Sequence, residues 1–165
     1  TRILLDLLEI SSVNAAAPVQ RYATDIAELI EAVLVARNLD TDLLHGDRPV
    51  VVTDARRVER VVANLIDNAT RHGEGVRQVL IAVSQERVRI HVDDAGPGLS
   101  PDVVDSLFEP FARGADVSER GVEGAGLGLA IVREQSEAIG GRVTVTSSPQ
   151  GGARFTLDLP AQVTL

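Results

Sequence analysis

Asn64 and Asn68 stand one helical turn apart in the stretch Val61-Val-Ala-Asn-Leu-Ile-Asp-Asn-Ala-Thr-Arg-His72. Two glycine-rich turns, Asp94-Ala-Gly-Pro-Gly98 and Gly124-Ala-Gly-Leu-Gly128, follow about thirty and sixty residues later. Both amides therefore project from one face of the same helix. The glycines mark places where backbone can come close to another group without a Cβ in the way. In isolation the asparagines would read as a polar helix face, with Leu65, Ile66 and Ala69 as its apolar neighbours.

The rest of the chain supplies elements around these motifs. Residues 2–12 carry an apolar stripe at helical spacing, and residues 14–18 break it. Residues 19–22 read as a short strand before Thr24 or Asp25 caps a helix to about Arg37, and residues 39–46 read as a loop. Val50–Thr53 is a β-branched strand, after which Asp54 caps the asparagine helix over Ala55–His72. Val76–Ser84 and residues 88–92 form a hairpin around Gln85-Glu86-Arg87, with the second strand ending at Asp93-Asp94. Ser100-Pro101-Asp102 opens a short helix, and the glycine-dotted residues 112–124 fit neither apolar period and are expected to form a lid. A helix over 127–139 and strands over 142–146 and 153–159 close the chain, the strands joined at Ser148-Pro-Gln-Gly-Gly152. The expected class is α+β, a two-layer sandwich of helices on one mixed sheet.

Composition narrows the chemistry. A length of 165 residues with 44% apolar content suits one compact domain, and a net charge of −8 argues against nucleic-acid or anionic-membrane binding. No apolar run approaches the roughly 18–20 residues that span a bilayer, so a cytoplasmic domain without direct membrane contact is expected. There is no cysteine, and all 16 basic residues are arginine. The absence of lysine excludes Walker-type and eukaryotic-kinase-type ATP sites, which both place a lysine on the phosphates. A dinucleotide fingerprint at Gly124 would require an apolar strand before it, where the chain has Ser118-Glu-Arg-Gly-Val-Glu123.

Five segments in order, the asparagine helix, the Asp94 turn, Leu107-Phe-Glu-Pro-Phe-Ala-Arg113, the Gly124 turn and Gly151-Gly-Ala-Arg-Phe155, resemble the N, G1, F, G2 and G3 boxes of bacterial sensor histidine kinases. The resemblance spans about residues 19–160 and implies the Bergerat-type ATP-binding fold of the GHKL superfamily. It assigns residues 19–165 to the catalytic domain, and 1–18 to the linker and the end of the dimerising phosphoacceptor hairpin. It implies ATP and Mg2+ as ligands. Asn68 would ligate the metal, with Asn64 contributing to the metal or its waters and Arg71 touching the phosphates. His72 falls where the family usually has a tyrosine against the nucleotide, and Asp94 matches the acceptor for the adenine amino group. Gly96 and Gly98 would border the ring, and Arg113 would reach the phosphates from the lid. Gly124, Gly126, Leu127 and Gly128 would present backbone N–H groups to the triphosphate at a helix N-terminus. Thr156 would support the adenine end.

Hydrolytic members of the superfamily generally carry glutamate where this chain has Asn64, and an amide cannot act as a general base. The resemblance therefore implies transfer of the γ-phosphoryl to a histidine, for onward transfer to a response regulator. His45, His72 and His91 do not match the family's acceptor, which a partner domain or chain would supply; the resemblance leaves open a parent protein anchored in the inner membrane. Two alternatives stay open: a non-catalytic ATP-sensing module and an anti-sigma-factor-type serine kinase.

Overall fold

The computed structural model describes residues 17–104, 106–108 and 128–161. β1 (Tyr22–Asp25) leads into α1 (Ile26–Ala36), a one-turn 3-10 helix (Thr41–Leu43), β2 (Leu44–Gly46) and β3 (Val50–Thr53). The long helix α2 (Ala55–His72) is followed by β4 (Val76–Ser84), β5 (Arg87–Asp94) and the short α3 (Pro101–Val104). Helix α4 (Gly128–Ala138), β6 (Arg142–Ser147) and β7 (Ala153–Pro160) complete the described fold.

Local chemistry explains the main boundaries. Asp25 caps α1 by accepting from Glu28 N, and Asp54 caps α2 by accepting from Arg56 N and Arg57 N. The β4–β5 hairpin turns on Gln85, at φ 51°, and Glu86. Five strands form one mixed sheet in the order β2-β4-β5-β7-β6, and β1 and β3 pair separately as an antiparallel ribbon.

Strand parity divides the large sheet into two faces. Val79 and Ile81 of β4, Val88, Ile90 and Val92 of β5, and Phe155, Leu157 and Leu159 of β7 face the helices. They meet Val58, Val61, Val62, Leu65 and Ile66 of α2 and Leu129 and Val132 of α4 in one core. Burying such side chains stabilises a fold by roughly 1.5–3 kcal/mol each. Phe108 joins that core edge-on to Phe155, with ring centroids 6.3 Å apart and planes at 81°.

Two sequence expectations are corrected. The first strand lies at Tyr22–Asp25 rather than 19–22, because antiparallel pairing of Tyr22–Asp25 with Val50–Thr53 sets its position. Residues 39–46, expected as a loop, contain a 3-10 turn and β2, which adds in parallel to β4 through Leu44, His45 and Gly46. Three residues are too few to show a period in sequence. The expected stub at 2–12 and the lid at 112–124 lie outside the described residues.

Candidate functional site

The C-terminal end of α2 and the end of β5 are locked together by backbone. Gly73 N and Gly75 N both donate to Ala69 O, at 3.0 and 2.9 Å, closing the helix through a turn in which Glu74 and Gly75 have φ of 59° and 105°. The carbonyls of Gly73 and Gly75 each accept from Ala95 N at 3.0 Å, so the turn after the helix grips the turn after the strand.

Asp94 sits in that grip, 6% exposed. Its Oδ1 accepts from Gly96 N and from Ala153 N, both at 3.0 Å. Gly73 and Gly152 flank the side chain. A Cβ on Gly73 would lie 2.5 Å from Asp94 Oδ2, and one on Gly152 would lie 2.7 Å from Oδ1 and collide with the Asp94 carbonyl. A Cβ on Gly98 would touch the Gly152 carbonyl at 3.5 Å, so the three turns pack as one unit. The carboxylate is thus held through one oxygen, while Oδ2 points toward the end of α2.

About two turns earlier on α2, Asn64 donates from Nδ2 to Arg60 O at 2.8 Å. That bond commits the amide nitrogen and leaves Oδ1 as the outward acceptor, 3.3 Å from where a Cβ on Gly128 would stand. Gly128 is the first described residue of α4, so an amide oxygen faces the start of the described helix, and the first N–H groups of a helix lack intrahelical partners and can meet anions. Asn68 and His72 are partly buried on the following turns, and Arg71 is exposed. An amide oxygen suits a hard divalent cation that retains waters and phosphate oxygens, so the residues present fit magnesium bound with a triphosphate.

The structure therefore brings together Asn64, Asn68, Asp94, Gly96, Gly98 and Gly128 along α2 and the turns it meets. Arg113, Gly124, Gly126 and Leu127 lie outside the described residues. Thr156 pairs with His91 and bonds His91 Nδ1 through Oγ1 at 2.7 Å, on the sheet face turned away from the helices. Asp94 lies an odd number of residues from His91 along the strand and so points to the opposite face.

That outer face is laced by arginine. Arg154 forks onto Asp93 at 2.6 and 2.8 Å, and Gln78 Nε2 adds a bond at 2.8 Å. Burial raises the Asp93 carboxyl, but the bonds from Arg154 and Gln78 outweigh it and hold the pKa below the ordinary value. His91 is pushed down by burial, and by neighbouring Arg154 against the pull of Asp93.

Two groups escaped the sequence reading. Gly73 carries no signal in the sequence beyond following the helix, because its position against Asp94 depends on tertiary contact. Arg57, 9% exposed, is the other; its Nη1 donates to Gln135 Oε1 at 3.0 Å and its Nη2 to Ala17 O at 2.7 Å, beside the buried carboxylate of Asp54 at 3.5 Å. This node ties the start of α2 to α4 and to the chain entering the domain.

Comparison with known proteins bears on the family and the fold. The family model described as histidine kinase-, DNA gyrase B- and HSP90-like ATPase matches residues 53–163. The signal transduction histidine-protein kinase AfsQ2 of Streptomyces coelicolor is 41% identical over 138 residues, covering 82% of this chain and 26% of that protein. Among solved structures, full-length ShkA in complex with AMPPNP superposes with a TM-score of 0.76 at 29% identity, over 96% of this chain and 35% of that one. The ATP-binding domain of PrrB from Mycobacterium tuberculosis gives 0.65 at 30% identity, over 86% of this chain and 98% of the other. The chain spans about a quarter of the length of AfsQ2.

Proposed function

Because the chain belongs to the family of histidine kinase-, DNA gyrase B- and HSP90-like ATPases, we propose that it holds magnesium ATP along α2 and passes the γ-phosphoryl to a histidine of a separate domain or partner chain, for onward transfer to a response regulator. The observation that carries this reading is that one helix meets two separate groups of candidate site residues, one near each end of its C-terminal half. Asn64 faces the N-terminus of α4, and Gly73, nine residues on, packs against Asp94. At 1.5 Å per residue those points are about 13 Å apart along the axis, a span that suits an extended nucleoside triphosphate.

On this reading Asp94 Oδ2 accepts from the adenine amino group, and Gly96 and Gly98 admit the ring. Asn68 and Asn64 hold the cation, Arg71 supplies guanidinium donors, and the first N–H groups of α4 meet the phosphates. Bound magnesium would neutralise phosphate charge. No carboxylate occupies position 64 to activate water, so the domain supplies positioning and charge balance for a protein nucleophile.

The test mixes the chain with a separately expressed dimerising-hairpin domain and ATP labelled at the γ position, with Asn68→Ala as control. Acid-labile label on the partner, absent with the variant, is the expected result. Acid-stable label would instead indicate a serine kinase. Intact nucleotide binding without transfer to any hairpin would indicate a nucleotide-sensing module.

A further inference from the structure

The contact between Gly73 and Asp94 supports an inference that rests on the adenine-nucleotide reading above. We propose that Gly73 is a positioning residue: its bare Cα sets where Asp94 presents Oδ2, and thereby sets the preference of the site for a purine bearing an amino group over one bearing a carbonyl.

Backbone conformation does not require glycine at this position. Gly73 has φ −111° and ψ 18°, within the range open to any L residue. What excludes a side chain is Asp94 itself. A Cβ at position 73 would meet Asp94 Cβ and Oδ2 at 2.5 Å and Cγ at 2.6 Å. The whole side chain lies in the space, including the carbon fixed to its own backbone, so rotating the carboxyl away would not relieve the overlap.

The carboxylate also has little freedom to adapt. Oδ1 is bound by Gly96 N and Ala153 N, and Gly152 closes the opposite side. Oδ2 is the acceptor left for a ligand. A purine amino group can donate to it, whereas a carbonyl at the same ring position would set two acceptors against each other. A displacement at position 73 therefore weakens amino recognition more than it weakens phosphate binding. Those contacts sit some two turns away on α2.

The test compares the affinities of ATP and inosine triphosphate, which differ at that ring position, for wild type and Gly73→Ala by isothermal calorimetry, with thermal melts alongside. Wild type should prefer ATP, and Gly73→Ala should lower the ATP-to-ITP preference about tenfold, the loss of one hydrogen bond to a charged acceptor. A merely structural role would weaken both nucleotides alike. If Gly73→Ala does not melt cooperatively, Gly96→Ala replaces it. Its methyl would press on Gly73 O, C and Cα at 3.1–3.2 Å, so that Gly73, packed against the carboxylate, would have to give by a small shift. Any effect of that methyl on ring approach is common to both nucleotides and cancels in the ratio. A folded variant that keeps the wild-type preference overturns the proposal. A wild-type protein that binds neither nucleotide, or binds both equally, overturns the adenine reading instead.

Discussion

Replacing Asp54 by alanine should be the most damaging single change at the start of α2. The carboxylate is fully buried and accepts from Gln20 N at 3.0 Å, Arg56 N at 3.1 Å and Arg57 N at 3.4 Å. Losing the cap costs about 1 kcal/mol. Removing the charge leaves the Arg57 guanidinium, whose side chain is 10% exposed, with neutral acceptors only, and breaking one half of a buried pair costs about 3–5 kcal/mol. The two contributions overlap, so about 4 kcal/mol is expected, a large share of the 5–15 kcal/mol typical of a domain. At about 2–4 °C per kcal/mol, the melting temperature should fall by roughly 10 °C. Asp54→Asn keeps an acceptor for the cap and should lose about half as much. Asp25→Ala, which removes an exposed cap that accepts from Glu28 N at 2.9 Å, should cost only about 0.5–1 kcal/mol. Burial raises the Asp54 carboxyl, but bonds from the Gln20 and Arg57 amides and the charge of Arg56 bring it below its ordinary value. A depressed folded pKa gives stability that is present above the ordinary carboxylate range and lost as pH falls through the folded value. The gap between wild type and Asp54→Asn should therefore hold at neutral pH and close in acid. Calorimetric melts from pH 3 to 8 test both statements. An Asp54→Ala protein melting within about 2 °C of wild type would refute the argument.

Other outcomes follow from the site and the outer face of the sheet. Asp94→Asn retains an oxygen for Gly96 N and Ala153 N but, on the proposed reading, turns an amide nitrogen toward the adenine amino group. It should keep its fold and lose ATP affinity by about tenfold or more, measured by calorimetry. Asn68→Ala should abolish most of the magnesium-dependent part of ATP affinity while leaving adenosine binding unchanged, seen by titrating with and without the metal. Arg154→Ala strands the buried Asp93 carboxylate and should cost about 3 kcal/mol in a urea melt without altering ATP affinity, since it lies on the far face. Thr156→Ala, on the same face, should likewise leave ATP affinity unchanged; a clear loss would support the role that the resemblance gives Thr156.

What sequence could reveal follows from the range of each interaction. Asp25 and Asp54 bond to amides within three residues, so capping chemistry placed α1 and α2 close to their observed starts. The alternation of Val88, Ile90 and Val92 against Arg87, Arg89 and His91 showed a half-buried strand without any knowledge of its partners. For Thr156 the motif gives only a neighbourhood, whereas the face it occupies is fixed by register with His91 across a separation of 65 residues. β2 carried too few residues for a period, and its parallel partner supplies the order. Gly73 was invisible for a third reason. Its significance is an overlap volume with Asp94, and nothing in the identity of either residue encodes that approach.

The two donors on Asp94 Oδ1 have different histories along the chain. Gly96 N is two residues away and is available as soon as the β4–β5 hairpin turns, while Ala153 N is 59 residues away and arrives only when β7 docks. Local contacts close before distant ones, because loop closure must be met entropically before it is rewarded. The hairpin can form early, but the full set of bonds around Asp94, the proposed base end of the site, exists only once the last strand has zipped onto β5. Nucleotide binding is therefore a report of completed folding: a chain truncated before β7 should retain local secondary structure yet show no saturable ATP binding.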